Sequence, residues 1–442
     1  MDFTALISAQ REYFNSGMTR GIALRLIALD KLEKAILARE GDLLAALKTD
    51  LGKAEYESYA CEIGIVLSEL RFAKKHLQKW AAPQKRPSPL ALFPAHSRVL
   101  AEPYGVVLIM SPWNYPVQLT LVPLVAALAA GNCALVKPSA YTPHVAAVLG
   151  DLLAATFPPE QVALVQGGRA ENAALLEGKF DYIFFTGSTA VGKTVMHAAA
   201  EHLTPLTLEL GGKSPVILAP DADLPLAARR LCWAKFVNAG QTCVAPDHLY
   251  VPAPLRDRLV EELGKQIKIL YGSDPLHSPD LPKIVTEKHF NRICGLIDPA
   301  KIAHGGQTDP ENRRIAPTIL QDVAEQDPIM QEEIFGPLLP VLTYEDLDTL
   351  LIAQQKKPRP LALYLFTKDP RFEARALQAV PSGGVCVNDA VVHLATSHLP
   401  FGGVGESGMG SCHGKAGFDT FTHYRSLVHR GKLDLPLRYP PY

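Results

Sequence analysis

The chain has 442 residues, with 44 Lys and Arg against 45 Asp and Glu, which leaves a net charge of -1 at pH 7. At ~100 to 200 residues per domain, this length predicts two or three domains with an ample core. Because no block of like charge stands out that could bind a phosphate backbone or an anionic membrane, neither nucleic acid nor a membrane is expected as a partner.

The N-terminus and the cysteines indicate where the protein works. The start, MDFTALISAQREYFNSG, lacks a basic segment followed by a continuous apolar stretch, so no secretory signal is predicted. Residues 121–136 form the least polar stretch, but Gly131 and Asn132 interrupt it and it is shorter than the ~20 residues that span a bilayer. The seven cysteines form an odd set without CxxC spacing, which argues against disulfides and structural zinc. A cytoplasmic protein is therefore expected.

Helices and strands follow one another along the chain. Apolar positions at helical spacing predict helix in residues 24–51. Residues 81–100 are interrupted by prolines, which disfavour a central strand, so this stretch is predicted to be a connection or an arm that reaches a neighbouring subunit. From YGVVLIM to LTLEL, short β-branched runs alternate with amphipathic helices. This alternation predicts parallel βαβ units in a doubly wound α/β sheet.

The domain boundary is placed near the double glycine that follows LTLEL. A second α/β segment with strand-like PVILA, LYV and LALYLF comes after it, and the stretch HLPFGGVGESGMGSCHGKAGF is expected to be too rich in glycine for regular structure. The predicted divisions are a Rossmann-like cofactor-binding domain (residues 1–82 and 99–209), a catalytic domain (residues 210–394), and a small bridging or oligomerisation element with the tail (residues 83–98 and 395–442).

Polar side chains stand at the ends of four predicted strands. Asn114 follows YGVVLIM, Lys137 closes CALVK, the turn GSTAVG follows YIFF, and Glu209 lies near the end of LTLEL. In a doubly wound sheet, ligands bind beyond the carboxyl ends of the strands. Each residue alone has an ordinary structural explanation, such as an Asn in a turn or a Lys on the surface. Four such ends together predict a single site.

On the turn alone, a nucleoside triphosphatase is a serious alternative. Residues 187–194 satisfy the phosphate-binding pattern G-x-x-x-x-G-K-[ST] between a strand and a helix. Such an enzyme also needs an apolar strand that ends in an Asp holding magnesium, and the nearest candidate, Asp221, follows a proline. A change of Lys193 should abolish nucleotide hydrolysis, whereas an oxidoreductase should tolerate it.

Cys243 has different surroundings from most of the other cysteines. It lies in FVNAGQTCVAPD, a loop of small and polar residues, whereas Cys133 and Cys294 lie among apolar neighbours, where a thiol is usually inert. The loop can leave the sulfur open and supply an N–H to an oxyanion. Glu209, in LELGGKSP, fits a general base and a structural carboxylate equally well. No metal is predicted, because the histidines show neither HExxH nor a tight His/Cys cluster.

Six motifs in order resemble those of the aldehyde dehydrogenase superfamily. The likeness covers nearly the whole chain, and the short length, PFGGVGESGMG, HGKAGFDTFTH and the terminal RYPPY are similar to its class 3 branch. In this family GSTAVG resembles the GxTxxG cofactor turn, so Lys193 and Thr194 would complete the phosphate-loop pattern by accident. The motifs are PWNYP (residues 112–116), KPS (137–139), FTGSTAVG (185–192), LELGGKSP (208–215), GQTC (240–243) and EEIFGP (332–337).

The resemblance implies NAD(P)-dependent oxidation of an aldehyde to a carboxylic acid through a thiohemiacetal and a thioester. Cys243 would be the nucleophile, Glu209 the base that activates water, and Asn114 would form the oxyanion site with the Cys243 N–H. A non-catalytic relative of the fold would usually have lost the nucleophile. The implied contacts to NAD or NADP are Gly187, Ser188, Thr189 and Gly192 at the phosphates, Lys137 at the adenosine ribose, and Glu333 with Phe335 at the nicotinamide half.

One departure from the family pattern concerns the cofactor. The family often has a Glu after KPS or KPA that binds the adenosine ribose hydroxyls, and this chain has Ala140. Without a carboxylate to repel a 2′-phosphate, NADP is expected to serve at least comparably with NAD. The resemblance also implies a homodimer and medium-chain aliphatic or aromatic aldehydes as substrates. Some class 3 members carry a C-terminal membrane anchor, whereas this chain stops at RYPPY, so a soluble enzyme is expected.

Overall fold

A computed structural model describes residues 3–433 and residue 440. The C-terminal RYPPY, apart from Pro440, lies outside the described residues. A π-helical turn, Tyr59–Ile63, joins the fourth and fifth of the helices given next. The helices are α1 (Thr4–Asn15), α2 (Ile22–Ala38), α3 (Glu40–Leu51), α4 (Glu55–Ser58), α5 (Gly64–Ala81), α6 (Gln118–Ala130), α7 (Pro143–Thr156), α8 (Arg169–Leu176), α9 (Thr189–Glu201), α10 (Leu224–Phe236), α11 (Arg256–Tyr271), α12 (Glu287–Cys294), α13 (Pro328–Gln331), α14 (Leu347–Gln355), α15 (Pro370–Ala379) and α16 (Gly414–Thr420).

The strands form two large sheets and two small ones. They are β1 (Gln84–Arg86), β2 (Ala95–Pro103), β3 (Val106–Met110), β4 (Cys133–Lys137), β5 (Val162–Leu164), β6 (Tyr182–Gly187), β7 (Leu206–Leu210), β8 (Pro215–Leu218), β9 (His248–Pro252), β10 (Ile302–His304), β11 (Thr308–Asp309), β12 (Arg314–Ile315), β13 (Thr318–Leu320), β14 (Leu338–Tyr344), β15 (Ala362–Phe366), β16 (Gly384–Val387), β17 (Gly408–Met409) and β18 (Thr422–Arg430).

The first large sheet has the order β17-β7-β6-β3-β4-β5. Strands β3 to β7 are parallel, and β17 adds an antiparallel edge. Every residue of β3 is buried, as expected for a parallel strand with helices on both faces. The chain runs from β3 out to β5 and then returns to β6 on the other side of β3, so a crevice opens at the carboxyl ends of β3 and β6. The predicted doubly wound architecture is confirmed.

Alternate residues of β3 and β4 face two different hydrophobic clusters. Val107, Ile109 and Val136 pack with α2, α5, α6 and α7 on one face. Leu108 and Leu135 pack with α1 and α9 on the other. The helix at the centre of the first cluster, α6, ends at Gly131, whose left-handed backbone (φ 93°) terminates it. This two-sided packing fixes the strand ends that carry the candidate residues.

The second large sheet has the order β10-β13-β14-β9-β8-β15-β16 and is parallel from β13 to β16. Its own core contains α10 and α11. The loop between α10 and β9 carries Cys243, and β7 leads directly through Gly211 and Gly212 to β8. The two large sheets are therefore joined by a very short connection that ends at a candidate site residue, Glu209.

The expectation for residues 81–100 is wrong in one respect. Strand β2 is the central strand of a three-stranded antiparallel sheet with the order β1-β2-β18. The prolines do not prevent this pairing, because Pro94 comes just before the strand and Pro103 is its last residue, so each interior N–H stays available. The stretch is therefore a stranded arm rather than an irregular connection.

The expectation for the glycine-rich stretch is also wrong in part. Helix α16 begins at Gly414 within HGKAGF, and β17 pairs with β7 so that Gly408 lies opposite Glu209. Gly408 has φ 142°, and a Cβ there would lie 2.1 Å from the Leu208 carbonyl oxygen. The glycines permit close packing of this segment on the first sheet, so they accompany regular structure here rather than prevent it.

Candidate active site

Cys243 lies on a loop whose course depends on a left-handed backbone. After α10 the chain has φ 53° at Asn238, 51° at Ala239 and 74° at Gly240. A Cβ at Gly240 would lie 2.3 Å from the carbonyl oxygen of Gly336, so glycine lets the loop pass close to the EEIFGP segment. The half-buried Cys243 then lines a pocket between the two large sheets. The loop therefore presents a thiol to an enclosed space.

Electrostatics keep this thiol protonated at neutral pH. Burial raises the pKa of Cys243 to about 12, and the carboxylates of Glu333 and Glu209 add to the shift. A thiol attacks a carbonyl carbon as the thiolate. The sulfur must therefore lose its proton at the moment of reaction rather than stand ready as an anion.

Glu209 lies in the same pocket without a polar partner. It is 4% exposed, and within the described part of the chain neither carboxylate oxygen has a hydrogen-bond partner. Burial raises the pKa of Glu209 well above the usual glutamate value. An unpaired buried carboxyl group is costly to maintain, and a raised pKa makes it a stronger base once ionised. These properties suit a proton acceptor.

Asn114 is held beside the cysteine loop rather than free in the pocket. Its side-chain Nδ2 donates to the carbonyl oxygen of Gln241 over 3.0 Å, and the residue is buried. The next residue, Tyr115, lines the pocket and shares a hydrogen bond of 2.7 Å between its hydroxyl and that of Thr242. The loop after β3 and the loop that carries Cys243 are thus fastened together at two points.

The pocket that contains Cys243 and Glu209 has a predominantly apolar wall. Its free space is about 1100 Å³, with the open mouth included. An apolar wall around a thiol and a carboxyl group suits a small organic substrate with one reactive polar group. Apolar wall residues include Leu119, Val122, Trp233, Val237, Leu394 and Phe401.

The phosphate-side candidates lie at the start of α9. Gly187 ends β6, Ser188 caps the helix by accepting a hydrogen bond from the Val191 N–H, and Thr189 is the first helical residue. A Cβ at Gly192 would lie 2.8 Å from Leu210 Cδ2, so this glycine lets the helix approach β7 closely. The start of a thirteen-residue helix offers free N–H groups and a partial positive charge to a phosphate.

This geometry argues against a nucleotide-hydrolase loop. The helix begins at Thr189, so the residues between Gly187 and Lys193 do not form the wide loop that surrounds the phosphates of a nucleoside triphosphate. Lys193 is exposed on α9. Asp221 follows β8 in the other sheet and accepts hydrogen bonds from Thr367 Oγ1 and the Lys368 N–H. The phosphate-loop pattern therefore arises by coincidence.

Lys137 ends β4 and is buried. Its Nζ donates to the carbonyl oxygens of Pro138 and Gly167, each over 2.7 Å, and burial lowers the pKa of the ammonium group. Lys137 does not line the pocket of Cys243, but it lies at the same sheet edge as Asn114. Ala140, three residues further on, is exposed.

Glu333 and Phe335 lie on the segment that passes the cysteine loop. A Cβ at Gly211 would lie 2.1 Å from Glu333 Oε2, so the absence of a side chain there makes room for this carboxylate. Burial and the nearby Asp247 raise the pKa of Glu333 to about 8, and its Oε1 has no partner in the described residues. The ring of Phe335 meets that of Trp113 edge-on at 5.4 Å. A groove beside the pocket is lined by both Thr189 and Glu333.

Sequence reasoning missed the pocket wall and a buried ion pair beneath Asn114. Trp233 lies on α10 and Phe401 on the glycine-rich segment, and neither follows a period that marks a pocket. The pair between Lys53 and Glu62 is fully buried, although the residues stand in a polar stretch, KAEYESYACE, that resembles a surface. The one signal in the sequence is that this Lys and this Glu are nine residues apart, on either side of the short helix α4. Such spacing is too common to identify a buried ion pair.

Comparisons with known proteins agree with the resemblance seen in the motifs. A family model described as "Aldehyde dehydrogenase family" matches residues 1–427. A 4,4'-diaponeurosporen-aldehyde dehydrogenase of Staphylococcus aureus is 46% identical over 98% of this chain and 95% of its own length. Aldehyde dehydrogenase family 3 member H1 of Arabidopsis thaliana is 44% identical over 99% of this chain and 92% of its own. A rat enzyme named "Aldehyde dehydrogenase, dimeric NADP-preferring" is 44% identical over 98% and 97%.

The fold has an equally close counterpart. A solved structure titled "Substrate bound state of Staphylococcus Aureus AldH" superposes with a TM-score of 0.98 at 45% identity, over 99% of this chain and 96% of that one. The fold, the pocket and these likenesses together define the class: an oxidoreductase that oxidises aldehydes with NAD or NADP. More particularly, the chain belongs to the aldehyde dehydrogenase family and is similar to its family 3 members.

Proposed function

We propose that Cys243 is the nucleophile, Glu209 the general base and Asn114 an oxyanion donor in the oxidation of an aldehyde to a carboxylic acid. The observation that carries the proposal is that the Cys243 thiol and the unpartnered Glu209 carboxyl group line one largely apolar pocket. A general base must be free to accept a proton. The Glu209 carboxyl group has no hydrogen-bond partner among the described residues, so it meets this requirement.

The chain's own residues divide the reaction into two stages. The thiolate of Cys243 attacks the aldehyde carbon, and the alkoxide of the thiohemiacetal is stabilised by the Asn114 amide and the Cys243 N–H. Once the carbon is oxidised, Cys243 holds the acyl group as a thioester. Glu209 then takes a proton from water, which attacks the thioester and releases the acid. Losing one oxyanion donor typically costs ~3 to 4 kcal/mol of transition-state stabilisation.

The residues present fit a dinucleotide. Thr186 Oγ1, at the end of β6, is buried without a partner in the described residues, and so is Glu333 Oε1. The start of α9 with Gly187, Ser188, Thr189 and Gly192 would hold the phosphates, Lys137 the adenosine ribose, and Glu333 with Phe335 the nicotinamide half. The bound dinucleotide supplies the hydride acceptor. These assignments rest on the family motifs together with the orphaned polar atoms.

The cofactor preference follows from Ala140. Its exposed methyl group cannot repel a 2′-phosphate as a carboxylate would, so NADP is expected to serve at least comparably with NAD. The name of the NADP-preferring rat relative is consistent with this expectation. Steady-state kinetics with both cofactors test it, and a hundredfold preference for NAD would contradict it.

The pocket wall indicates the substrate class. The predominantly apolar lining around Cys243 favours medium-chain aliphatic or aromatic aldehydes over charged ones. The relative from Staphylococcus aureus is named for 4,4'-diaponeurosporen-aldehyde, so an aldehyde is the substrate named for that protein as well. A panel of aldehydes of increasing chain length, compared by kcat/KM, measures the preference.

We also propose the assembly and location. The separate sheets support a division into a cofactor domain, a catalytic domain and a bridging element, although β17 and α16 of the proposed bridging element pack on the first large sheet. The rat relative is named as dimeric, which supports a homodimer. No helix among the described residues is long and apolar enough to cross a membrane. The proposal of a cytoplasmic enzyme rests on the odd set of cysteines without CxxC spacing.

The direct test follows reduced nicotinamide by absorbance. Wild-type protein with an aldehyde and NADP or NAD should produce it, whereas Cys243→Ser should lose activity by ~1000-fold or more because the alcohol is a far weaker nucleophile. Cys294→Ser is the matched control, since that thiol lies outside the pocket. Equal turnover by wild type and Cys243→Ser would end the proposal of a covalent route.

A further inference from the structure

A buried ammonium group lies directly beneath Asn114. Lys53 has a fully buried side chain, and its Nζ donates to Glu62 Oε1 over 2.6 Å and to the carbonyl oxygen of Asn114 over 2.8 Å. The same Nζ lies 4.1 Å from the ring centroid of Tyr115. Among the described residues, the hydrogen bonds and the ring contact of this charge are therefore with its counter-ion and with the loop that follows β3, and the carboxyl group of Glu57 lies near enough to be influenced by it.

The counter-ion holds the next part of that loop. Glu62 lies on the π-helical turn, and its Oε2 accepts hydrogen bonds from the N–H groups of Val117 (2.8 Å) and Gln118 (3.3 Å). These residues stand at the start of α6, where N–H groups lack partners within the helix. The ion pair thus holds the loop at two points, at the Asn114 carbonyl through the lysine and at the start of α6 through the glutamate.

A second set of bonds ties the same loop to the nucleophile. Asn238 Nδ2 donates to the carbonyl oxygens of Asn114 (2.8 Å) and Gln241 (3.1 Å), and Asn114 Nδ2 donates to the Gln241 carbonyl over 3.0 Å. Gln241 is two residues before Cys243. Within the described residues, Asn114 Nδ2 has no other acceptor, and its second hydrogen makes no hydrogen bond. The bonds to the Asn114 carbonyl oxygen hold the backbone from which this amide extends toward the cysteine loop.

We propose that Lys53 and Glu62 are positioning residues for the oxidation, which act by fixing the Asn114 amide relative to the Cys243 thiol. The inference rests on the oxyanion role proposed for Asn114. Stability alone gives a weak reason for this pair, because a buried ion pair can often be replaced by uncharged residues of similar volume without loss of stability. An oxyanion donor, in contrast, must be held within a fraction of an ångström, since a displacement of ~1 Å costs ~100-fold in rate.

The test replaces both charges at once. Lys53→Met alone would leave Glu62 as an unpaired buried carboxylate and could unfold the chain. The double variant Lys53→Met/Glu62→Gln removes both charges, keeps the side-chain volumes and leaves an amide oxygen that can accept from the Val117 N–H. Its thermal midpoint should stay close to that of the wild type. The pre-steady-state burst of reduced cofactor should slow by ~10- to 100-fold, whereas the KM for NADP should stay within ~2-fold.

The matched control is Arg25, a buried cation on α2 that contacts the C-terminal end of α6, whereas Glu62 contacts the start of α6. Arg25 is 6% exposed and donates to the carbonyl oxygens of Thr19 (3.2 Å) and Ala129 (3.3 Å), near the end of α6. Arg25→Met should lower the thermal midpoint and leave the burst rate constant within ~2-fold. A control that slowed the burst as much as the double variant would show a general loss of core packing and would overturn the proposal.

A cycle with Asn114→Ala separates this inference from the proposed function. If Lys53 and Glu62 act through the Asn114 amide, the double variant should slow the burst far less in the Asn114→Ala background than in the wild type. Full additivity, or a folded double variant with a wild-type burst, would overturn the inference while the role of Asn114 stands. A wild-type burst in Asn114→Ala itself would instead overturn the oxyanion role.

If the double variant does not fold, Glu62→Asp alone is the second test. It keeps the charge opposite Lys53 and both acceptor oxygens, so no buried charge is left unpaired, but its shorter side chain weakens the hold on the start of α6. We expect the burst to slow at least ~3-fold with an unchanged KM for NADP. A wild-type burst in this variant would overturn the proposal.

Discussion

Glu209 and Cys243 occupy the pocket in the protonation states that a resting enzyme can sustain. Burial disfavours both the carboxylate and the thiolate, so their pKa values rise together. Each group must therefore lose its proton before it reacts, Cys243 before it attacks the aldehyde and Glu209 before it takes a proton from water. The energetic cost of such a site falls on the folded state, where an unpartnered carboxyl group reduces stability.

That cost predicts a pH dependence of stability at Glu209. Because the folded pKa lies well above the unfolded value, the unfolded chain ionises first, so this residue's contribution is full below the unfolded pKa of ~4.3 and is lost as pH rises toward the folded pKa. Glu209→Gln does not titrate. Its stability relative to the wild type should therefore increase as the pH rises from the unfolded pKa of ~4.3 toward the folded pKa.

Denaturant unfolding of both proteins at several pH values measures this difference. Glu311→Gln is the matched control, because it removes one carboxyl group from an exposed position. A difference between wild type and Glu209→Gln that stays constant with pH would show that the carboxyl group is well solvated in the folded protein.

At the scale of single elements, the contact between α9 and β7 joins the cofactor turn to the reaction pocket. Gly192 packs against Leu210, and Leu210 lines the pocket with Glu209. Gly192→Val should force the helix outward or push Leu210 into the pocket. We expect a loss of ~1 to 3 kcal/mol in stability from overpacking and a higher KM for the dinucleotide.

The neighbouring Lys193 provides the control for that substitution. Lys193→Ala changes an exposed side chain on the same helix and should alter neither the thermal midpoint nor the KM. If Gly192→Val had the stability and the dinucleotide KM of the wild type, α9 would be able to move without affecting either the fold or cofactor binding. A loss of nucleotide hydrolysis in Lys193→Ala would instead support the phosphate-loop interpretation.

The elements that the sequence predicts well are those with two buried faces. Strands β3, β4 and β6 are continuous apolar runs between amphipathic helices, so both their existence and their parallel arrangement could be predicted. Strand β18 could not, because most of its residues are at least partly exposed and it has no apolar alternation. Its partner, β2, is more than 300 residues away in the chain, and no local pattern indicates that pairing.

The candidate site divides in the same way. The ends of β3, β4, β6 and β7 could be assigned to one sheet edge, because parallel strands bring their carboxyl ends together. Cys243 needed its motif, since its loop comes from the other sheet and the left-handed backbone that aims it has no periodic signal. Lys53 could not be singled out, because its burial depends on three segments that meet only in the folded chain.

At the scale of the whole molecule, β18 is the longer of the two outer strands of the three-stranded sheet. Strand β18 has nine residues, pairs with β2 on one side only, and exposes Leu427 and Val428. An outer strand with exposed apolar side chains is a surface on which another chain can pack. This geometry supports the homodimer proposed from the family resemblance.

Light scattering after size exclusion tests the assembly. We expect a particle of twice the 48.0 kDa chain mass, and a monomer when Leu427 and Val428 are both replaced by Asp. Replacing the exposed Ile269, on α11, by Asp is the control and should leave the mass unchanged. A wild-type monomer would contradict the proposed dimer without affecting the chemistry of the pocket.

The central claim is that oxidation proceeds through an acyl group on Cys243 that Glu209 helps to remove. In Glu209→Gln, oxidation needs no water but hydrolysis does, so the variant should give one burst of reduced cofactor and then stall. Mass spectrometry of the stalled protein, quenched in acid, should find the acyl mass on the peptide that contains Cys243. An unmodified Cys243 in stalled protein that has produced its burst, or the acyl group on another residue, would contradict the account.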